Sequence, residues 1–262
     1  MTSLLIIEGN TPDLVAQGYA WAEPFVQTFA AIAPEVRCER VNPYDGPLAA
    51  ELFAAADGVV FTGAGVAWAV DAPEGASARV AFTQALEAGK PIWGSCNGMQ
   101  LAAVMLGGSV RASPNGLETG FALGLMPAVP EHPMVRGRRA GDAALCIHRD
   151  EVADLPEGAQ LIVRNAHSPV QGFVYERQGA CFWGTQYHPE LTPHDLARLL
   201  KVDGVFVGCE ALISDLETGL EDAEVLARLG VETSHLQLER RAAELIAWLA
   251  LVEGRTPFPT AS

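Results

Sequence analysis

The stretch KPIWGSCNGMQLAAVMLGGSV, Lys90–Val110, places one cysteine between two glycines where an apolar run gives way to a helical pattern. The apolar run is typical of a buried parallel strand, and the residues after the cysteine are typical of a helix. A cysteine at such a junction lies at the positive end of the helix dipole, which lowers the pKa of a thiol. Gly94 and Gly98 suit the sharp turn that this position requires. The stretch predicts a nucleophilic Cys96, with a buried structural cysteine as the alternative.

Two other apolar runs end in glycine and also predict buried strands, and helical patterns lie between the runs. The runs cover 3–9 and 58–65, and the helical patterns cover 13–32, 48–56 and 77–88. This alternation predicts an α/β fold with a mostly parallel central sheet flanked by helices. Short runs separated by turn residues over 143–189 predict an antiparallel or mixed portion of the sheet.

The chain becomes helical from Thr192 onward, where Thr192-Pro193 opens one helix. The segment SHLQLERRAAELIAWLALVEG, residues 234–254, predicts one long amphipathic helix that ends at its glycine. We therefore predict a catalytic domain at 1–191 and a helical C-terminal extension at 192–262 that packs on the same domain. The extension could cap the sheet, form a homo-oligomer or dock a partner protein.

Composition limits the partners and the compartment. The formal charge of −15 disfavours binding to nucleic acid or to anionic membranes. The N-terminal stretch MTSLLIIEGN is too short for a signal peptide or a membrane span, so we expect a cytoplasmic protein. The five cysteines contain no C-x-x-C pair, which argues against a disulfide framework and a zinc site. We expect no metal and no cofactor.

A nucleophilic thiol needs a base and a group that orients the base. His188 follows a strand-like run in FWGTQYHPE, and Glu190 comes two residues later. In an extended segment these two side chains point to the same side, so the carboxylate can approach the imidazole. The order Cys96, His188, Glu190 predicts a catalytic triad at the carboxyl ends of the strands, where α/β sheets place their sites.

Together these motifs resemble the class I glutamine amidotransferases, most closely the amidotransferase domain of GMP synthase. The family pattern G-x-C-x-G-x-Q is matched by GSCNGMQ at 94–100, and its H-P-E by 188–190, about ninety residues later. HRDEVADLPEG, at 148–158, is similar to a further family segment. The resemblance covers the chain from its first strand to about Glu190, and it implies a flavodoxin-like fold.

The resemblance implies that Cys96 attacks the side-chain amide of glutamine and forms a thioester, with His188 as base and Glu190 holding the imidazole. It also implies an oxyanion and substrate-binding set around the thiol. This set comprises Gly63, Ala64, Gly65, Asn97, Gln100, His148 and Asp150.

The sequence departs from the family at Gly63-Ala64-Gly65, where Gly-Gly-Pro is usual. The missing proline predicts a looser oxyanion loop, which the double change Ala64→Gly and Gly65→Pro should improve. The chain also has no P-loop, so ammonia would have to serve a synthetase on another polypeptide. Two alternatives remain: a hydrolase of other γ-glutamyl amides or peptides, and a catalytically idle binding protein on this fold.

Overall fold

The structure is a computed structural model that describes residues 1–177, 179–202 and 208–255. Parts of the predicted C-terminal extension, 203–207 and 256–262, lie outside the described residues. The strands are β1 Ser3–Ile7, β2 Arg37–Val41, β3 Gly58–Phe61, β4 Pro91–Ser95, β5 Ser109–Ala112, β6 Glu118–Pro127, β7 Asp142–His148, β8 Asp150–Asp154, β9 Gln160–Arg164, β10 Gly172–Arg177 and β11 Ala180–Thr185. The helices are α1 Pro12–Ala16, α2 Ala22–Ile32, α3 Ala50–Ala55, α4 Ala76–Glu87, α5 Asn97–Met105, α6 Pro193–Leu200, α7 Glu210–Ser214, α8 Ala223–Leu229, α9 Thr233–Leu236, α10 Leu238–Arg241 and α11 Ala243–Val252.

In the described residues, nine strands form one sheet in the order β2-β1-β3-β4-β11-β10-β9-β6-β7. The strands from β2 to β11 in this order are parallel. The pairs from β11 to β7 are antiparallel, and β5 and β8 form a separate two-stranded sheet. The predicted α/β architecture, with parallel central strands and a mixed portion, is therefore confirmed. The carboxyl ends of β4 and β11 meet side by side, which brings Cys96 and His188 to one edge.

The helix predicted over 13–32 is wrong, because the chain forms two helices there. Gly18 adopts φ +89°, a left-handed conformation that ends α1 and favours glycine. The backbone N–H groups of Trp21 and Ala22 then donate to the Glu8 carboxylate at 2.9 and 2.8 Å, where α2 begins. The interruption matters because it places Tyr19 and Trp21 beside the candidate site.

The long amphipathic helix predicted over 234–254 is also wrong. The chain leaves the helical conformation at Gln237 and Ala242, so α9, α10 and α11 replace it. Helix α11 is buried on most of its circumference because it packs into the core, where Trp248 contacts Phe29 and Trp93. Gly254 follows α11 with φ +66°. Among the described helices, none combines the length and the apolar character needed to cross a bilayer.

Candidate active site

Cys96 occupies a strained turn between β4 and α5. Its φ of 50° and ψ of −106° make it the one non-glycine residue with positive φ in the described ranges. A Cβ on Gly98 would lie 2.3 Å from the Phe61 carbonyl oxygen, and one on Gly94 would lie 2.7 Å from the Gly98 backbone. The flanking glycines therefore allow a packing that side chains would prevent, and the sharp turn predicted at Cys96 is present. Strain of this kind is typical of functional turns.

His188 and Glu190 form a fully buried pair behind the thiol. His188 Nδ1 lies 2.7 Å from Glu190 Oε1, and both side chains are 0% exposed. The second carboxylate oxygen accepts a hydrogen bond from the Ser95 hydroxyl at 3.0 Å, and the Trp93 indole N–H donates to that hydroxyl. Trp21 stacks on the imidazole with ring centroids 4.7 Å apart. The imidazole is thus held on its Nδ1 edge and on one face.

The free edge of His188 faces the nucleophile. Its Nε2 is buried without a hydrogen-bond partner. Burial disfavours the imidazolium, yet the charge of Glu190 and the nearby Cys96 thiol outweigh burial and raise the pKa of His188 to about 10. The Cys96 thiol itself points toward the Ile147 carbonyl oxygen, 3.6 Å away. The arrangement suits proton transfer between a thiol and an imidazole whose other nitrogen is fixed.

The C-terminal helices hold the segment that carries His188 and Glu190. The Arg241 guanidinium donates to the carbonyl oxygens of Pro189 and Leu191 at 2.9 and 3.0 Å. Glu244 accepts a hydrogen bond from the Tyr187 hydroxyl at 2.6 Å and forms a bidentate, fully buried ion pair with Arg138. The sequence did not reveal these supports, because Arg241 and Glu244 occupy a pattern that is typical of an ordinary helix.

A cavity of about 200 Å³ opens in front of the thiol. Of the predicted oxyanion and substrate-binding residues, it is lined by Ala64, Gly65, Asn97, Gln100, His148 and Asp150. Gly63 does not line the cavity. It lies on the side of the loop that faces His188, where a Cβ would be 2.8 Å from His188 Cε1. The remaining wall consists of Val66, Ala67, Trp68, Leu117, Ile147 and Arg149, besides Cys96. The Cys96 thiol therefore borders the cavity, whereas His188 does not line it.

The Gln100 amide lies in the cavity wall and is already hydrogen bonded. Its Nε2 donates to the Asp150 carbonyl oxygen at 2.9 Å and to Gln186 Oε1 at 3.1 Å. The Arg149 guanidinium donates to the Val66 carbonyl oxygen across the cavity at 3.1 Å. These contacts join the oxyanion side of the cavity to the β7–β8 turn.

Hydrogen bonds and one aromatic ring contact the oxyanion loop. Gly65 donates its backbone N–H to Asn10 Oδ1 at 2.7 Å, and the Thr62 hydroxyl accepts from Gly9 N–H and donates to the Gly63 carbonyl oxygen, both at 2.8 Å. A Cβ on Gly65 would lie only 1.8 Å from Tyr19 Cε1. In the structure, hydrogen bonds and the Tyr19 ring hold the loop where the family pattern has a proline, and the looseness of the loop stays a prediction.

One cluster has the composition of a metal site. Ligand atoms of Glu118, His148 and His167 lie within 4.8 Å of one another. The Glu118 carboxylate, however, already lies 2.7 Å from the amide nitrogens of Asn165 and Gln171 and 2.7 Å from His148 Nε2. These contacts lower the pKa of Glu118 against the opposing effect of its burial. The cluster is thus a hydrogen-bonded support for His148 in the cavity wall.

Comparisons with known proteins identify the family of this chain. The family described as "Glutamine amidotransferase class-I" matches residues 36–203. A γ-glutamyl-L-1-hydroxyisopropylamide hydrolase from a Pseudomonas species is 35% identical over 210 residues, which cover 76% of this chain and 70% of that protein. A glutamine-hydrolysing GMP synthase from Nitrosococcus oceani is 35% identical over 135 residues, covering 48% of this chain but 25% of that protein.

A solved structure of a glutamine amidotransferase has a similar fold. A glutamine amidotransferase from Thermotoga maritima superposes with a TM-score of 0.66 at 21% identity, covering 96% of this chain and 97% of that one. The matches to GMP synthases span only 25 to 34% of the length of those proteins. The resemblance predicted from the cysteine and histidine motifs is confirmed. The chain belongs to the class I glutamine amidotransferase family.

Proposed function

We propose that this protein hydrolyses a γ-glutamyl amide, with glutamine as the simplest substrate, through a thioester on Cys96. The observation that carries the proposal is the position of Cys96: a strained residue bordering a cavity, in front of an imidazole that Glu190 orients at 2.7 Å. The ammonia formed from glutamine would pass to a synthetase on another chain. Membership in the family supports this reaction class.

In the proposed reaction, the thiol proton passes to His188 before the attack, since the raised pKa of His188 favours the imidazolium, and Cys96 Sγ then attacks the amide carbon. The negative charge that develops on the amide oxygen is met by the backbone N–H groups of Ala64 and Asn97. When the C–N bond breaks, His188 returns the proton to the leaving nitrogen, and ammonia or an amine departs. His188 then takes a proton from water as the water oxygen bonds to the thioester carbon; the C–S bond breaks, His188 returns that proton to Cys96 Sγ, and glutamate is released. Glu190 holds the imidazole in one tautomer throughout.

A second candidate is an N-substituted γ-glutamyl amide. The Pseudomonas relative is named as a hydrolase of such an amide, and its alignment with this chain covers more than two thirds of both proteins. The cavity also has apolar wall residues in Val66, Trp68 and Leu117. An alkyl or hydroxyalkyl group on the leaving nitrogen would contact such residues, whereas ammonia would not. Both candidates share the same thioester and differ only in the amine that leaves.

The test is product release from the purified chain with glutamine, γ-glutamyl alkylamides and γ-glutamyl peptides as substrates. We expect glutamate and the matching amine from at least one of them. Cys96→Ala and His188→Ala should lose turnover by about a thousandfold or more, whereas Cys181→Ala, a matched thiol removal, should not. Glu190→Gln should cost less than His188→Ala because it leaves the imidazole in place. Binding of these compounds without turnover by the wild type would favour the idle binding protein instead.

A further inference from the structure

One buried polar network links the oxyanion loop to the aromatic cover of His188. It starts at Glu8 and Asn10, directly after β1, where both side chains are almost completely buried. From there it reaches Gly65 on one side and the segment 19–22 on the other. Burying a carboxylate and an amide costs free energy unless their polar atoms are hydrogen bonded. Other geometries of the network would lose these hydrogen bonds and are therefore disfavoured.

The Asn10 amide is the central member of this network. Its Oδ1 accepts from the Gly65 N–H at 2.7 Å, and its Nδ2 donates to the Tyr19 carbonyl oxygen at 2.6 Å. A backbone N–H can only donate and a carbonyl can only accept, so the amide has a single usable orientation. It therefore ties the oxyanion loop to the segment that begins at Tyr19.

Glu8 fixes the other end of the same segment. Its carboxylate accepts the backbone N–H groups of Asn10, Trp21 and Ala22 at 2.8 to 3.0 Å. Trp21 in turn stacks on the His188 imidazole, while the Tyr19 ring lies against Gly65. The loop that faces the developing oxyanion and the ring that covers the base are thus held by one set of hydrogen bonds.

The network also accounts for the departure of this chain from its family. A proline at position 65 would have no N–H to give to Asn10, and its ring would enter the space of Tyr19. In this chain the loop conformation is fixed by a hydrogen bond where the family pattern uses a pyrrolidine ring. Since the Gly65 N–H is engaged by Asn10, it is not free to donate to a substrate.

We propose that Asn10 is a positioning residue that sets the oxyanion loop for catalysis, an inference that rests on the proposed function. Asn10 touches neither the thiol nor His188 in the contacts of the described residues; it acts through Gly65 and Tyr19. Its loss should therefore impair the stabilisation of the oxyanion and leave substrate binding and the nucleophile intact.

The experiment compares Asn10→Ala with the wild type and with Asn42→Ala. Asn42 is a matched control, because its amide donates to the Asn10 carbonyl oxygen at 2.9 Å without reaching the loop. Asn10→Ala should lower kcat at least about tenfold, with KM and the rate of Cys96 alkylation by iodoacetamide within about twofold. Asn42→Ala should keep kcat within about twofold of the wild type. Equal losses in both variants, or a loss confined to KM, would overturn the proposal.

Two further measurements distinguish a loss of loop positioning from unfolding of the variant and from an incorrect proposed function. Thermal unfolding should show that Asn10→Ala is folded at the assay temperature; a loss of kcat that only follows the loss of folded protein would count against the proposal. Hydrogen exchange of residues 62–66 should speed up in Asn10→Ala and not in Asn42→Ala, with or without substrate. If the wild type hydrolyses no γ-glutamyl amide, the proposed function is wrong, and unchanged exchange would separately show that Asn10 does not hold the loop.

Discussion

The Ser95 hydroxyl donates a hydrogen bond to Glu190 Oε2 at 3.0 Å, so the residue directly before Cys96 holds the carboxylate that contacts His188. The same hydroxyl accepts the Trp93 indole N–H at 3.0 Å, and all three side chains are buried. Strand β4 therefore presents Cys96 and restrains its distant partners at the same time. A change in this strand should affect the base as well as the thiol.

Ser95→Ala should lower turnover by about tenfold and destabilise the fold by about 1 to 3 kcal/mol, because it leaves the buried Trp93 N–H and one Glu190 oxygen without their partner. Steady-state kinetics and urea unfolding measure the two effects. Ser109→Ala is the control, since its hydroxyl also donates to a carboxylate, Asp154, but at an exposed position. Equal, small effects of both substitutions would contradict the role given to Ser95.

Labelling should single out Cys96 among the five cysteines. Burial raises the pKa of Cys38 and of Cys181 to about 11, and it raises the pKa of Cys146 well above its usual value. These thiols carry little thiolate at neutral pH and should react slowly. We expect a glutamine-like electrophile to add once per chain, at Cys96, as located by peptide mass spectrometry. Labelling spread over several cysteines, or persisting in Cys96→Ala, would contradict this assignment.

Gly65→Pro should harm the protein, although it restores a family residue. The new ring would overlap Tyr19, and the hydrogen bond to Asn10 would be lost, at a combined cost of about 3 kcal/mol or more. The temperature of thermal unfolding and the turnover rate should both decrease. The same decrease is expected when Ala64→Gly is added. Tyr19→Ala in the same chain removes the overlap and should recover part of the stability. A gain in turnover from Gly65→Pro alone would mean that the loop is loose after all.

Glu8 should make stability depend on pH. Burial raises the pKa of Glu8 from 4.5 to about 7, against the opposing hydrogen bonds from Asn10, Ala22 and Trp21. Between these pH values the folded chain binds more protons at Glu8 than the unfolded chain, so this group contributes less stability as the pH rises. The Glu8→Gln side chain does not ionise. As the pH rises from 4.5 to about 8, the free energy of unfolding of this variant should therefore increase relative to that of the wild type by up to roughly 3 kcal/mol.

Urea unfolding of both chains across this pH range measures the effect. Glu51→Gln, at an exposed helix position, is the matched control and should differ from the wild type by a constant amount. A difference between Glu8→Gln and the wild type that does not change with pH would show that Glu8 is ionised throughout.

The turn at Cys96 and the contact between His188 and Glu190 could be predicted because both are local. The glycines around Cys96 meet steric demands within one turn, and Glu190 is two residues from the imidazole it contacts. The central strands could also be predicted, because a strand that is buried along its whole length requires a continuous apolar run. Strand β2 was missed because it lies at the sheet edge and is mostly exposed, so its sequence RCERV lacks such a run.

The supports of the site could not be predicted because they come from distant parts of the chain. Asn10 meets Gly65 across 55 positions, and Arg241 meets Pro189 across 52. No local pattern distinguishes these residues from polar residues on a surface. One signal was available: Glu8 and Asn10 directly follow a buried strand at the carboxyl edge of the sheet, where a polar residue needs a partner.

The contacts of Arg241 and Glu244 with the segment around His188 have a consequence for the order of synthesis. A ribosome completes Cys96, His188 and Glu190 before it adds the two residues that clasp Pro189, Leu191 and Tyr187. A growing chain therefore carries Cys96, His188 and Glu190 before it carries the side chains that hold residues 187–191. Until α10 and α11 have been synthesised, the segment that carries His188 and Glu190 lacks these hydrogen bonds, so its final conformation is less stabilised.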